Sequence, residues 1–592
     1  VAAEEAAAAG INWTFAPMVD ISRDARWGRI MEGGGEDPYL GSKIAIARVQ
    51  GFQGDDLSAT NTIAACAKHF AAGGFTEAGR EYNTVDIGTS TLHNMVLPPF
   101  KAAKDANVRT FMNSFNVLNG VPSTADSYLQ RDILKGQWGF DGYVVSDYSS
   151  IIETAYHGFA KDGKHAAQLA ANAGSDMDME SYVYVEELAN LVREGKVEER
   201  LIDDAVRRIL RVKFELGLFD DPYKYCNESS EKEVTGKQKF HDIVLDMAKK
   251  SIVLLKNENN LLPLKKEGQH ISLIGALASD KSSPLGSWRI ASDDETAVSV
   301  LEGMQAYTGN SLTYAKGTDV TLGNPTFTHE AKVNESDRSD FDEAISAAKK
   351  ADVVVIVLGE HGFQSGEGRS RTELDLPGLQ QELLEAVYAV NKNVVLVLNN
   401  GRPLTINWAD EHIPAIVEGW QLGTQSGNAI AQVLYGDYNP SGKLPMTFPK
   451  SVGQVPIYYN HKITARPIMP SPDFVFWSHY IDESNAPLYP FGHGLSYSSF
   501  KYDNFKVNVN GNEVKVSVDL SNTSEIAGKE VVQLYIRDLH ASVTRPVKEL
   551  KGFELVELKA KESKTISFTL GNEELGFFDN KGQFIVEPGL FK

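Results

Sequence analysis

Two acidic residues stand where carboxylate chemistry needs them. In GYVVSDY (142–148) a short apolar strand ends in Ser146 and Asp147, and barrel enzymes place reacting groups at the C-terminal ends of such strands. An Asp capping a helix that starts at Ser149 fits the same local pattern. The second acid, Glu367, lies in GEHGFQSGEGRSR (359–371), which follows the most hydrophobic strand in its region and has four glycines among its first ten residues. That composition predicts a flexible loop, able to carry an acid over a neighbouring cleft where exclusion of water would raise its proton affinity toward that of a general acid. A solvated Gly-rich turn is the plain alternative, and Glu360 and Glu373 are rival acids on the same loop.

Basic residues accompany the acids. AKHF (67–70) puts Lys68 and His69 at another strand end, and RWGR (26–29) puts Arg29 in a turn-rich stretch beyond a strand that ends at Asp20. Lys and Arg donate to several hydroxyls at once, as a polyhydroxylated ligand requires. A metal is not expected, because a His beside a Lys is a poor zinc site and neither HExxH nor CxxC occurs. GDYNPSGKL (436–444) has one residue too many between its glycines for a phosphate loop and lacks Ser or Thr after Lys443. Asp176, Asp178 and Glu180 alternate like calcium ligands, but no glycine-centred loop or closing Glu follows.

The elements that must position these residues fall into three regions. Residues 1–222 repeat short apolar segments (12–19, 64–70, 110–115, 142–146, 176–179) followed by amphipathic helices, the rhythm of β/α units. The last of these helices carries an apolar stripe through Leu201, Ala205, Ile209 and Val212, with Ile202, Val206, Leu210 and Phe214 beside it and Arg207, Arg208 and Arg211 toward solvent. Residues 223–236 are polar and predict a linker. From 237 to 456 the strands become unbroken apolar runs (271–276, 353–359, 394–398), so a mostly parallel sheet covered on both faces is expected. Residues 457–487 predict a long connecting loop, and alternating segments from 488 to 592 an antiparallel β-sandwich.

Composition bounds the partners. With 592 residues, 42% apolar and 23% charged, the chain has the make-up of a folded multidomain protein. Its 58 basic against 79 acidic residues, a net charge of -21, disfavour nucleic acid and anionic membrane surfaces. The apolar run 353–358 is far short of the roughly 18 residues that span a bilayer. Two cysteines, Cys66 and Cys226, lie 160 positions apart and are expected to be free. The opening VAAEEAAAAG has neither an initiator Met nor a signal-peptide pattern, so a lost or cleaved beginning is expected.

Nine segments in order, APMVDISRDARWGRIMEGGGEDPYL, ACAKHF, GREYNTVD, GFDGYVVSDY, AGSDMDM, RRILRVKFELGLFD, KKSIVLLKNENNLLPL, GDYNPSGKLPMTFP and PLYPFGHGLSYSSF, resemble glycoside hydrolase family 3, in particular its periplasmic-type β-glucosidases. The resemblance implies a (β/α)8 TIM-like barrel whose first strands lie outside this chain, an α/β sandwich and a fibronectin-III-like β-sandwich. It implies a retaining β-glucosidase that needs no cofactor, with Asp147 as nucleophile and Glu367 as acid/base; retention requires the two carboxyl groups to approach to about 5 to 5.5 Å. Arg29, Lys68, His69 and Arg80 match positions that bind sugar hydroxyls, Tyr148 and Trp288 match aromatic positions lining the site, and Met112 is counted with the substrate-binding set. The family's upstream Gly-x-Asp…His-Gly segment, whose Asp grips sugar hydroxyls, does not occur here. KHFAAGGFTEAGR (68–80) lacks the histidine of a KHFPGHG motif, which favours a glucosidase or xylosidase over a hexosaminidase. The resemblance further implies a periplasmic or secreted protein, with a homodimer allowed. A β-xylosidase or mixed glucosidase/arabinosidase is the alternative enzyme, and a catalytically impaired carbohydrate-binding protein the alternative from another class.

Overall fold

The computed structural model describes residues 1–290, 294–467, 474–511 and 513–592. The chain divides into two compact units, one of residues 1–22, 32–240 and 578–583, the other of residues 23–31, 241–577 and 584–592.

In the first unit, parallel bridges join Trp13 to Ala64 and Met18 to Lys68; strand Cys66–Phe70 pairs with Thr110–Asn113, that strand with Tyr143–Val145, and Val145 bridges to Met177. Each spatial neighbour is the next in sequence, which is the singly wound order of a (β/α)8 wall. All five candidate strands lie on it. Helices Pro38–Gln53, Pro98–Asp105, Ser150–Tyr156 and Gly163–Ala173 intervene. Their ends follow from local chemistry: Asp37 accepts from Leu40 N at 2.7 Å with Pro38 in the first turn, Asp162 accepts from His165 N at 2.8 Å, and Gly174 at φ 113° stops the last of them.

The helix Glu199–Glu215 departs from its expected pattern. Val212 is buried, but Val206, Leu210 and Phe214 stay exposed. Arg208, expected in solvent, instead donates to the carbonyls of Phe140 and Gly142 at 2.8 and 2.9 Å, because that edge of the helix lies over the turn leading into strand Tyr143–Val145. The stretch expected as a linker holds a helix, Glu228–Val234, capped by Asn227, and the first unit continues to Phe240.

The second unit contains a six-stranded sheet ordered Val253–Asn257, Ala415–Glu418, Val394–Asn399, Val353–Gly359, Glu267–Ile274, Gly309–Ala315. All neighbours are parallel except Val253–Asn257, which runs against Ala415–Glu418. Val353, Val355 and Val357 enter one hydrophobic core and Val354, Ile356 and Leu358 another. Burial on both faces explains the unbroken apolar run, each such side chain contributing about 1.5 to 3 kcal/mol.

Two expected boundaries move. Leu488 and Tyr489 pack into the second of these cores and Leu495 bridges to Leu254, so the first strand of the β-sandwich, Phe500–Asn510, begins later than 488. It pairs with Glu513–Asn522, and that with Ser563–Leu570, while Gly528–Ile536 pairs with Glu549–Leu558, all antiparallel. Residues 457–467 and 474–487 form no helix or strand, and 468–473 of the expected connecting loop lie outside the described residues. The stretch 23–31, expected within the barrel, belongs to the second unit: Ala25 and Ile30 pack with Leu374 and Met446, and Arg23 donates to Asn460 at 3.1 Å.

Candidate active site

Asp147 follows strand Tyr143–Val145 at its C-terminal end and is 9% exposed. Its Oδ1 accepts the Tyr148 N–H at 2.7 Å. The helix Ser150–Tyr156 begins with no side-chain cap, so the capping role that the local sequence allowed is not what this carboxylate does. One neighbour is His69, whose Nε2 lies 3.7 Å from Asp147 Oδ2. The opposite ring nitrogen, Nδ1, lies 2.9 Å from Asp20 Oδ2, and the same oxygen accepts the His69 backbone N–H at 2.9 Å. His69 and Asp20 are 3% and 2% exposed, so the imidazole stands between two carboxylates in a dry setting.

The other expected residues of this unit are placed unequally. Lys68 is half-buried and Tyr148 is 59% exposed. Met112, in register with Val145 on the adjacent strand, is buried among Cys66, Tyr143 and Val145. Arg80 is exposed. Burial pushes the Cys66 thiol in this layer up to about 12. Asp20, the partner of His69, was not singled out from sequence, although it ends a candidate strand just as Asp147 does.

In the second unit, strand Val353–Gly359 leads into a single 3-10 turn, Gly362–Gln364, and then to Glu367. This stretch is not the flexible loop that its glycines suggested. Gly366 N donates to Gly28 O at 2.6 Å, Arg371 N to Arg26 O at 3.1 Å, and Arg369 Nη1 to the Glu367 carbonyl at 2.7 Å. A Cβ on Gly28 would stand 2.0 Å from the Gly366 oxygen, so the two chains approach as only glycine permits. The pairing sets Arg29 Nη1 3.7 Å from Glu367 Oε1, with side chains 2% and 21% exposed. Trp288 is 43% exposed, with the Arg29 guanidinium 5.7 Å from its ring centre and Phe327 at 5.4 Å.

The rival acids are differently employed. Glu360 is buried and ion-paired at 2.9 Å with both Arg371 and Arg402. Glu373 is exposed. Glu418, at the end of strand Ala415–Glu418, is wholly buried; desolvation raises its carboxyl to about 8 against the opposing pull of hydrogen bonds from Trp420 N and Asn400. Neither Arg402 nor Glu418 was singled out from sequence, where each reads as an ordinary charge beside a strand.

The rejected ligand motifs are occupied by protein. Lys443 donates to Gly494 O at 2.7 Å and pairs with Glu530 at 3.1 Å. Asp176 accepts Lys135 at 2.7 and 2.8 Å and Val144 N at 2.8 Å. Among the described residues no group of three or more His, Cys, Asp and Glu could hold a metal ion.

Comparison with known proteins identifies the family. The Glycosyl hydrolase family 3 N terminal domain matches residues 1–212, the Glycosyl hydrolase family 3 C-terminal domain residues 252–497, and a Fibronectin type III-like domain residues 530–592. A periplasmic beta-glucosidase of Salmonella typhimurium is 44% identical, the alignment covering all of this chain and 79% of the relative. A beta-xylosidase of Formosa agariphila is 40% identical, over all of this chain and 82% of the relative. The crystal structure of a beta-glucosidase from Listeria innocua in complex with isofagomine superposes with a TM-score of 0.93 at 40% identity, over all of this chain and 81% of that one. With two family domains covering most of its length and a relative 44% identical over all of it, the chain belongs to glycosyl hydrolase family 3.

Proposed function

We propose that the chain is a retaining β-glucosidase, removing terminal non-reducing β-D-glucosyl residues through a covalent intermediate on Asp147. The observation that carries this reading is the carboxylate of Asp147 at a stave end, held by the Tyr148 N–H and faced by His69. In the first step an Asp147 oxygen attacks the anomeric carbon while Glu367 gives its proton to the departing glycosidic oxygen. In the second, Glu367 takes a proton from water, whose oxygen displaces Asp147. Arg29, Lys68, His69 and Arg80 supply donors to sugar hydroxyls, Tyr148 and Trp288 offer ring faces to the apolar side of a pyranose, and Met112 backs the site from its buried layer. Full burial of Glu360 as the counterion of two arginines and the partial exposure of Glu367 support Glu367 as the acid of this loop.

The test is kinetic. Asp147→Ala should lose turnover of p-nitrophenyl β-glucoside, and near-normal activity would reject its role. Glu367→Ala should lose far more with poor leaving groups than with activated ones and form β-glucosyl azide when azide is added; equal losses would reject it. NMR of the first-formed anomer should show β-glucose. The identity to a relative named a beta-xylosidase favours one second reading, β-xylosidase activity; the ratio of kcat/KM for p-nitrophenyl β-glucoside and β-xyloside decides between them. The likeness to a relative named periplasmic supports a periplasmic or secreted location, which cell fractionation checks.

A further inference from the structure

The guanidinium of Arg402 is wholly buried, yet it reaches three backbone carbonyls on two stretches of chain. Nη1 donates to Arg26 O at 2.9 Å, and Nη2 donates to Gln364 O at 2.6 Å and Arg369 O at 2.8 Å. Nε lies 2.9 Å from Glu360 Oε1 in an ion pair. Glu360 is itself fixed, since Oε2 accepts Gly401 N at 3.1 Å and Oε1 accepts Arg371 Nη1 at 2.9 Å. The carbonyls that Arg402 gathers are those on either side of Glu367 in the chain, at positions 364 and 369, and the one three residues before Arg29.

A buried ion pair is weak evidence for stability, because desolvating both charges offsets most of their attraction. Desolvation indeed opposes the charged form of Arg402. What the planar fork supplies and an apolar residue could not is a fixed geometry between segments far apart in sequence. Arg402 has no exposed surface and Glu360 about 1%, so their influence on chemistry would pass through the residues they hold.

We propose that Arg402, anchored by Glu360, is a positioning residue that sets Glu367 and Arg29 in their working register. The proposal rests on Glu367 being the acid/base, and its test separates the two claims. Arg402→Lys keeps the charge opposite Glu360 but cannot span three carbonyls. Its kcat/KM should be measured for β-glucosides of 2,4-dinitrophenol and of phenol, beside Glu367→Ala.

The expected result is a loss below about 3-fold with the activated leaving group and above about 30-fold with phenol, in the same sense as Glu367→Ala but smaller. A loss equal for both substrates, or none, while Glu367→Ala keeps its leaving-group dependence, overturns the role of Arg402 alone. Absence of that dependence in Glu367→Ala overturns both. Should Arg402→Lys not fold, the Glu360→Gln/Arg402→Met variant, which removes both charges of this pair while its Gln oxygen still accepts from Arg371, is read by the same ratio. Melting temperature is followed throughout, since a purely structural role would lower it without changing the ratio.

Discussion

The N–H of Gly366 donates to the carbonyl of Gly28 at 2.6 Å, and this single bond lies next to both Glu367 and Arg29 in their chains. It couples two motifs 338 positions apart, which sequence reading had assigned to different domains. Because a Cβ on Gly28 would meet the Gly366 oxygen at 2.0 Å and Arg369 backbone at 2.9 Å, Gly28→Ala must push the two strands of chain apart. A displacement of about 1 Å at a reacting group can cost about 100-fold in rate. A loss of that order in kcat/KM for p-nitrophenyl β-glucoside is expected. Gly368→Ala is the comparison: its φ of 70° strains an alanine, but nothing lies within 4 Å of the new Cβ, so the loss should be much smaller. Equal effects would mean that the close approach does not matter.

What the sequence made legible follows from how local the signals are. The runs 353–359 and 394–398 could only be two-sided strands, and the structure puts alternate valines of the first into separate cores. Asp147 was found because the apolar strand before it and the polar residues after it are adjacent in the chain. The glycines of 359–368 misled, since glycine signals backbone freedom and close approach alike, and only the facing segment 26–29 shows which one applies. Asp20, Arg402 and Glu418 stayed hidden because their partners, His69, Glu360 and Asn400, are brought to them by folding.

Glu418 should make the protein less stable as the medium becomes alkaline. Its folded-state carboxyl is raised from the ordinary 4.5 to about 8, mainly by burial and further by the charge of Glu360. Between these values the unfolded chain binds fewer protons at this group than the folded one, so stability is fully present below about pH 4.5 and declines as pH rises to 8, by at most about 1.4 kcal/mol per pH unit. Glu418→Gln, neutral at every pH, keeps an acceptor for Trp420 N. Urea unfolding from pH 5 to 9 should show the variant gaining on the parent protein toward pH 9. Parallel curves would show that the carboxyl is ionised without penalty.

The two thiols should react as differently as their surroundings. Cys66 is 0% exposed and its thiol is raised to about 12 by burial, so almost no thiolate exists at neutral pH; Cys226 is exposed. One equivalent of DTNB should react promptly in the folded protein and a second only in guanidinium. Two fast equivalents without denaturant would mean that the layer around Cys66 opens readily.

Asp20 orders the histidine beside Asp147, the proposed nucleophile. With Oδ2 2.9 Å from Nδ1, the Asp20 carboxylate favours the tautomer that carries its proton on that nitrogen, and Nε2 faces Asp147 at 3.7 Å. A ring protonated only on Nδ1 would turn its lone pair toward the Asp147 carboxylate; one protonated on both nitrogens offers a donor there. Asp20→Asn retains an oxygen for the His69 N–H but removes the charge. It should reduce kcat/KM by up to about 100-fold, the size of the loss when a group at the reacting centre is misplaced by about 1 Å. The ring 15N shifts of His69 should change at the same time, because the partner of Nδ1 has lost its charge. Reduced activity with unchanged shifts would assign Asp20 to holding the backbone alone, whereas unchanged activity with altered shifts would show that the protonation of His69 does not matter to the nucleophile.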